Sequence, residues 1–213
     1  MKFIKTPVKG MNDFLPTDMA LREYVLSVIK QTYKGFGFSQ IETPVMEHIE
    51  NLQSNQGGEN EKLIFKVLKR GEKLNVAAAQ QEADVVDSGL RYDLTLPLAR
   101  YYANNAEQLC TPFKALQIGN VFRADRPQKG RFRQFMQCDI DILGDDSMLA
   151  ETELVLATTT LLLKLGFTGF KVRVNDRRIL KAMADYCGFA PEQLGKVFIS
   201  LDKLDKIGPQ GVE

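Results

Sequence analysis

Phe122-Arg123-Ala124-Asp125-Arg126-Pro127-Gln128-Lys129-Gly130-Arg131-Phe132-Arg133-Gln134-Phe135 is the stretch on which the fold of this chain turns. Within it Arg123, Arg126, Lys129, Arg131 and Arg133 place five cations in eleven residues, although the 213-residue chain carries a formal net charge of only +1. That concentration marks a local anion trap, and its flanks read as two antiparallel strands. The lead-in, Phe113 to Arg123, sets Leu116, Ile118 and Phe122 on one face and Gln117, Gly119, Val121 and Arg123 on the other. The lead-out, Phe132 to Ile142, sets Phe132, Met136, Cys138, Ile140 and Ile142 against Arg133, Phe135, Gln137, Asp139 and Asp141. Side chains alternate across a strand with period two, so each strand has an apolar side and a polar side. A sheet face with arginines, one aromatic, an amide and two carboxylates suits a ligand that combines phosphate, a flat ring, and an amine or imidazole. The plainer alternative is a solvated basic loop with surface Arg/Asp pairs. The position of the carboxylates among Ile and Leu, rather than in a turn, weighs against it.

Outward from this hairpin, the N-terminal side predicts a helix that Thr17 caps and that Gly35 and Gly37 end, carrying Leu21, Tyr24, Val25, Val28, Ile29 and Thr32 at helical spacing. Phe38 to Thr43 reads as a strand stopped by Pro44. Residues 50–62 are polar, with a Gly-Gly pair, and predict a short helix and a mobile loop. Leu63–Leu68 and Leu74–Ala78 read as strands, Ala77–Val86 as an extra helical turn, and Thr95–Asn104 as a helix opening on Asp93 and Thr95. Beyond the hairpin, Asp146 or Ser147 caps a long helix to Leu165. Phe170–Val174 reads as a strand, Asp176–Tyr186 as a helix closed by Gly188, and Pro191–Asp205 as mostly helical. Hairpin strands with helices between them give an α+β fold, an antiparallel sheet flanked by helices. No GxGxxG or GxxxxGK[ST] pattern is present.

Composition narrows the chemistry. With 44% apolar and 26% charged residues, the chain is an ordinary globule of one domain, or a domain and a half. It contains no run of 18 apolar residues, and Met1 to Pro7 lacks an apolar core, so neither a membrane span nor a secretory signal is expected. Cys110, Cys138 and Cys187 are three and far apart, which suggests neither a disulfide framework nor a zinc site; a reducing cytoplasm fits. His48 is the only histidine, which removes imidazole-based triads and metal motifs as central mechanisms. The near-neutral charge argues against a general nucleic-acid coat protein but leaves room for one local contact.

The hairpin resembles motif 2 of the class II aminoacyl-tRNA synthetases, with its Phe-Arg-x-Asp/Glu, loop, and Arg-x-x-x-Phe pattern. It is most similar to the histidyl-tRNA synthetase family. Arg91-Tyr92-Asp93-Leu94-Thr95 with Pro97-Leu98-Ala99-Arg100-Tyr101 resembles that family's histidine-binding segment, and Phe135-Met136-Gln137-Cys138-Asp139-Ile140-Asp141 its strand after motif 2. Lys9 to Pro16, Val174 to Leu180 and Leu201 to Lys206 resemble further landmarks, and helix, strand and Pro44 resemble motif 1. The similarity runs through the whole chain in order. It implies the class II catalytic fold, with residues 1–213 as a partial catalytic domain holding motifs 1 and 2. Motif 3 and the anticodon-binding domain are absent, so the chain is expected to be inactive by itself.

The resemblance also implies roles. Arg123 is the catalytic residue, touching the α-phosphate of ATP and the carboxylate of histidine. Arg131 holds the terminal phosphates, Phe135 stacks on adenine, and Asp125 lies near the adenine amine. Asp93, Thr95 and Gln137 receive the α-amino group of histidine, and Asp141 faces the imidazole. Arg126 and Gln128 reach the acceptor end of tRNA. ATP enters as a substrate with Mg2+, no structural metal is implied, and the motif 1 region makes a homodimer in the cytoplasm. From the residues alone, Asp93 also reads as a helix cap and Phe135 as a cross-strand packing residue. Two other functions stay open: the histidine-sensing regulatory subunit of ATP phosphoribosyltransferase, which shares this fold, and a basic RNA-binding module. The complete loop favours the synthetase over the first. The acids on the polar face disfavour the second.

Overall fold

A computed structural model describes residues 3–53, 59–201, 204 and 208. The chain divides into two compact units, Met1–Thr168 and Gly169–Glu213. In the first unit, α1 (Pro16–Gly35) leads into β1 (Ser39–Ile41), β2 (Met46–His48), the one-turn α2 (Ile49–Leu52), β3 (Phe65–Leu68) and β4 (Val86–Leu90). α3 (Thr95–Asn105), β5 (Phe113–Phe122), β6 (Gln134–Leu143) and α4 (Met148–Lys164) follow.

The hairpin is the spine of this unit. β5 and β6 pair antiparallel along their whole length, from Phe113↔Leu143 to Phe122↔Gln134, and β1 joins β5 in parallel, giving the order β1-β5-β6. The apolar face of the hairpin, with Leu116, Ile118, Cys138, Ile140 and Ile142, is covered by Ile29 and Tyr33 of α1 and Ala157 and Leu161 of α4. The fully buried Leu and Ile side chains among them contribute roughly 1.5–3 kcal/mol each, and the helices leave the opposite face of the hairpin uncovered. A second sheet, β2-β4-β3, is antiparallel throughout.

Several elements differ from the sequence expectation. Pro16, not Thr17, begins α1: it occupies the first helical position, where a missing N–H leaves nothing unpaired, and the Leu15 N–H donates to the Asp18 carboxylate at 3.2 Å. The strand after α1 is shorter, Ser39–Ile41, because the residues beyond it turn to meet Arg91. Leu74–Ala78 is turn, not strand, with its apolar residue Val76 largely exposed. The strand that pairs there is β4, whose Val-Asp-Ser-Gly-Leu sequence lacks an alternating pattern. Its Gly89 is obligatory, since a Cβ would lie 2.9 Å from Ile64 and Leu52 side chains. The extra turn in Ala77–Val86 is a 3-10 turn at Glu82–Asp84, tied to β3 by an ion pair of Lys66 with Glu82 and by Lys69 Nζ donating to Ala83 O. The loop expected in residues 50–62 falls mainly on 54–58, outside the described residues.

The second unit contains α5 (Arg177–Tyr186) and α6 (Leu194–Leu201). Asp176 caps α5 by accepting from the Arg178 N–H at 2.8 Å. Phe170–Val174 is irregular rather than a strand: its alternating pattern has no ladder partner among the described residues. The helix expected to Asp205 is described to Leu201, and 202, 203 and 205 lie outside the described residues.

Candidate functional site

The uncovered face of the hairpin presents, in spatial order, Arg123, Phe135, Gln137, Asp139 and Asp141. Register places Phe135 opposite Val121, Gln137 opposite Gly119, Asp139 opposite Gln117 and Asp141 opposite Ala115. The β5 side is roofed by the Arg91–Leu94 segment, so on this face the half-buried polar groups are Arg123 at the end of β5 and Gln137, Asp139 and Asp141 of β6.

A buried arginine that carries no assigned role from the sequence builds that roof. Arg91 is 4% exposed. Its Nε donates to Asn120 O at 2.9 Å and its Nη1 to Thr43 O at 2.7 Å, with Thr43 Oγ1 at 3.1 Å and Pro44 O at 3.4 Å. Burial pulls its pKa below the usual arginine range, against the opposing charges of Glu42 and Glu47. Gly119 is the seat for this guanidinium: a Cβ there would stand 2.3 Å from Nη2. Gln117, fully buried beside it, donates from Nε2 to Leu94 O at 3.0 Å. These bonds hold the segment that carries Asp93.

At the hairpin mouth Arg123 Nε donates to Tyr92 O at 3.0 Å, and the guanidinium carbon lies 5.1 Å from the centre of the Phe135 ring. Its terminal nitrogens make no bond among the described residues. The loop beyond closes as a two-residue turn, with Gln128 and Arg131 exchanging backbone bonds of 3.1 and 2.9 Å across Lys129-Gly130. Gly130 has φ +76°, as the second central residue of a type II turn requires. Arg131 is 55% exposed, with Nη1 3.9 Å from the Asp125 carboxylate, a loose pairing. Arg126 and Gln128 are exposed. The N-terminal segment meets the loop base, where Gly10 O accepts from the Arg133 N–H at 2.7 Å, and within the loop Arg133 Nε donates to Asp125 O at 3.0 Å.

Toward the other end the face is acidic. Gln137 Nε2 donates to Asp139 Oδ2 at 3.2 Å and Oδ1 at 3.4 Å. Burial raises the Asp139 carboxyl above the ordinary range; the Asp93 charge adds to this, while Gln137 and Arg123 oppose it. Burial also raises Asp141, followed by the charges of Asp139 and Asp93. Three carboxylates thus share one field. Gln137 Oε1 and Asp141 Oδ2 are buried acceptors with no protein partner. Asp93, one residue before the Leu94 cap of α3, accepts from the Leu96 N–H at 3.3 Å and so binds the first turn weakly. Thr95, at the first position of α3, is exposed.

The family model described as histidyl-tRNA synthetase matches residues 10–208. The chain belongs to the histidyl-tRNA synthetase family. It is 52% identical over 211 residues to the histidine–tRNA ligase of Leifsonia xyli, covering 97% of this chain and 49% of that protein. The probable histidine–tRNA ligase of Tropheryma whipplei is 48% identical over 203 residues, covering 95% and 47%. The chain therefore spans about half the length of the curated relatives it matches. Among solved structures, the histidyl-tRNA synthetase of Nostoc sp. PCC 7120 superposes with a TM-score of 0.80 at 30% identity, over 99% of this chain and 44% of that one. The class II synthetase fold, α+β, is thereby established. The structure described as an ATP phosphoribosyltransferase regulatory subunit/histidyl-tRNA synthetase from Bacillus halodurans, with a TM-score of 0.65, is 23% identical and shares the fold. The regulatory-subunit reading is not favoured, since the relatives of higher identity are ligases.

In this histidyl-tRNA synthetase-family chain the structure brings Arg123, at the end of β5, and Phe135, Gln137 and Asp141, on β6, onto one face of the hairpin, with Asp93 within electrostatic reach of it. Arg91, Gly119 and the Asp139–Gln137 bond were not assigned from the sequence. Asp139 carried a signal, its shared face with Gln137 and Asp141. Arg91 carried none, because its partners come from two distant segments, Thr43–Pro44 and Gly119–Asn120.

Proposed function

We propose that this chain carries the motif 2 half of the site in which a histidine–tRNA ligase activates histidine with ATP to histidyl-adenylate, before transfer to tRNA(His). One observation supports this most: the polar face runs from a free-ended arginine on an aromatic ring to two unpartnered buried acceptors in an acidic field. A nucleotide phosphate fits the first end, and an amino acid with an ammonium and an imidazole fits the second. Gln137 and Asp141 are four residues apart, about 13 Å along a strand, enough to serve the two ends of histidine.

In this reading the carboxylate of histidine attacks the α-phosphorus and pyrophosphate leaves. Two anions must approach, so the site has to neutralise charge and align atoms. Arg123 is suited to this: pinned through Nε, it presents both terminal nitrogens to oxyanions and cannot deprotonate. The exposed Arg131 reaches the terminal phosphates, Mg2+ arrives with the nucleotide, and Asp125 stands by the adenine amine. Phe135 takes adenine on the ring face that Arg123 leaves open. Asp93, Thr95 and Gln137 take the ammonium and Asp141 the imidazole, while Arg126 and Gln128, exposed at the loop, reach the tRNA acceptor end. A homodimer through α1 and β1, and action in the cytoplasm, complete the reading.

Calorimetric titration of the chain with L-histidine and with ATP tests it. Asp141→Asn is expected to weaken histidine by about 1.5–3 kcal/mol, the worth of a charge-assisted bond, and to leave ATP unchanged. Arg123→Ala is expected to weaken ATP. Equal losses of both ligands in Asp141→Asn would remove the division of the face into two ends.

A further inference from the structure

We propose that Asp139 is a positioning residue: it turns the Gln137 amide so that its oxygen faces the ligand, and so makes the site select a ligand that bears an ammonium group. The proposal rests on the histidine reading for the identity of that ligand. Gln137 and Asp139 are neighbours on one strand face, and the amide nitrogen lies 3.2 and 3.4 Å from the two carboxylate oxygens. An ionised carboxylate only accepts, so only the nitrogen end of the amide can face it. The two ends of a glutamine amide are otherwise interchangeable in shape, and the hydrogen-bond network decides which way they point. Asp139 is the member of that network that admits one answer.

The consequence is visible on the other side of the amide. Gln137 Oε1 is buried and has no protein donor. A buried acceptor left unpaired is costly, so a donor from the ligand is what relieves it. Asp141 Oδ2, on the same face, is in the same condition. The groups facing Asp139 are Asp93 from the segment before α3, Asp141 on β6, Arg123 at the end of β5, and Gln137 itself. That surplus of negative charge favours a cationic donor over a neutral one. A reversed amide would present its NH2 to the same ligand and repel an ammonium. Asp139 therefore acts on specificity through Gln137, with no need to touch the ligand.

The test has two parts. In the ligand-free, 15N-labelled chain, the side-chain amide of Gln137 is assigned by its loss in Gln137→Met. It is expected to be protected from solvent exchange, with about tenfold less protection in Asp139→Asn, whose amide can both donate and accept. Asp139→Ala repeats the measurement with no acceptor at all. An unprotected Gln137 amide in the unaltered chain overturns the proposal. The second part compares L-histidine with 3-(imidazol-4-yl)propanoate, the same molecule without its amino group. Asp139→Asn is expected to reduce the preference for histidine about tenfold, and in a Gln137→Met background the same change is expected to alter it less than about twofold. Three outcomes of this second part also overturn the proposal. They are a preference that survives Asp139→Asn, equal weakening of both ligands, and an undiminished effect in Gln137→Met, which would make Asp139 the direct partner of the ammonium. A protected amide in a chain that binds neither ligand upholds the orientation and removes the histidine reading instead.

Discussion

Two residues on the open face, Asp139 and Asp141, have carboxyls that burial holds above the ordinary range. The folded chain thus binds their protons more tightly than the unfolded chain does. Their contribution to stability is present at low pH and is lost as pH rises through the raised values. Asp141→Asn is therefore expected to raise Tm near neutral pH, by roughly 2–4 °C for a chain of this size, and to lose that gain in acid. Thermal melts at about pH 7 and about pH 4 check this, the second lying near the unperturbed aspartate value. A lowered Tm at neutral pH would mean that Asp141 holds the fold rather than the ligand. Arg91 is the opposite case. Removing it with Arg91→Ala strips the buried Thr43 carbonyl and the half-buried Asn120 carbonyl of their donor, which is expected to cost about 3 kcal/mol in urea unfolding. A loss within about 0.5 kcal/mol, as at an ordinary surface site, would show that the Arg91–Leu94 roof is held by something else.

At the scale of elements, α1 divides its labour. Ile29, Thr32 and Tyr33 are buried against the hairpin, while Leu21 and Tyr24 are 65% and 60% exposed. In the proposed homodimer that outward face meets a second copy. Tyr24→Glu together with Leu21→Glu is expected to shift the chain to monomer with the helix intact, read by light scattering and far-ultraviolet circular dichroism. An unchanged molar mass would move the interface elsewhere. The hairpin loop is held at both ends rather than along its length. Ala124 N–H donates to Leu63 O at 2.8 Å and Arg133 N–H to Gly10 O at 2.7 Å, while the Lys129-Gly130 turn stands clear. Gly10 has φ +87°, and a Cβ there would meet Pro127 and Arg133 side chains at 2.8 and 2.9 Å. The contact between the N-terminal segment and the loop base therefore depends on glycine.

At the scale of the whole molecule, the boundary after Thr168 separates two units with their own packing. The first unit holds the hairpin, both helices that cover it and every residue assigned to the site. Residues 1–168 alone are expected to unfold cooperatively, with a Tm within roughly 4 °C of the full chain, the shift that about 1 kcal/mol produces at this size. Differential scanning calorimetry decides it: loss of a cooperative transition would show that the first unit needs the second.

The hairpin is legible in the sequence because its signal is local. Period-two alternation from Phe113 to Ile142 and a glycine turn specify both strands and their faces, and slipping the register by one residue would turn every apolar side chain outward. That Arg123, Phe135, Gln137 and Asp141 share one polar face follows from the same alternation, and the helices follow from their spacing and end signals. What pairs with a strand is not local. Leu74–Ala78 and Phe170–Val174 have strand-like composition without a ladder among the described residues, and β4 has a ladder without strand-like composition. The Gln137 amide takes its orientation from Asp139 two residues along the same strand, so only the strand itself is needed. The glycine seat for Arg91 and the charge that Asp93 adds to Asp139 and Asp141 arise only when distant segments meet. Hydrogen bonds and desolvation act through space, and their partners stand tens of residues apart along the chain.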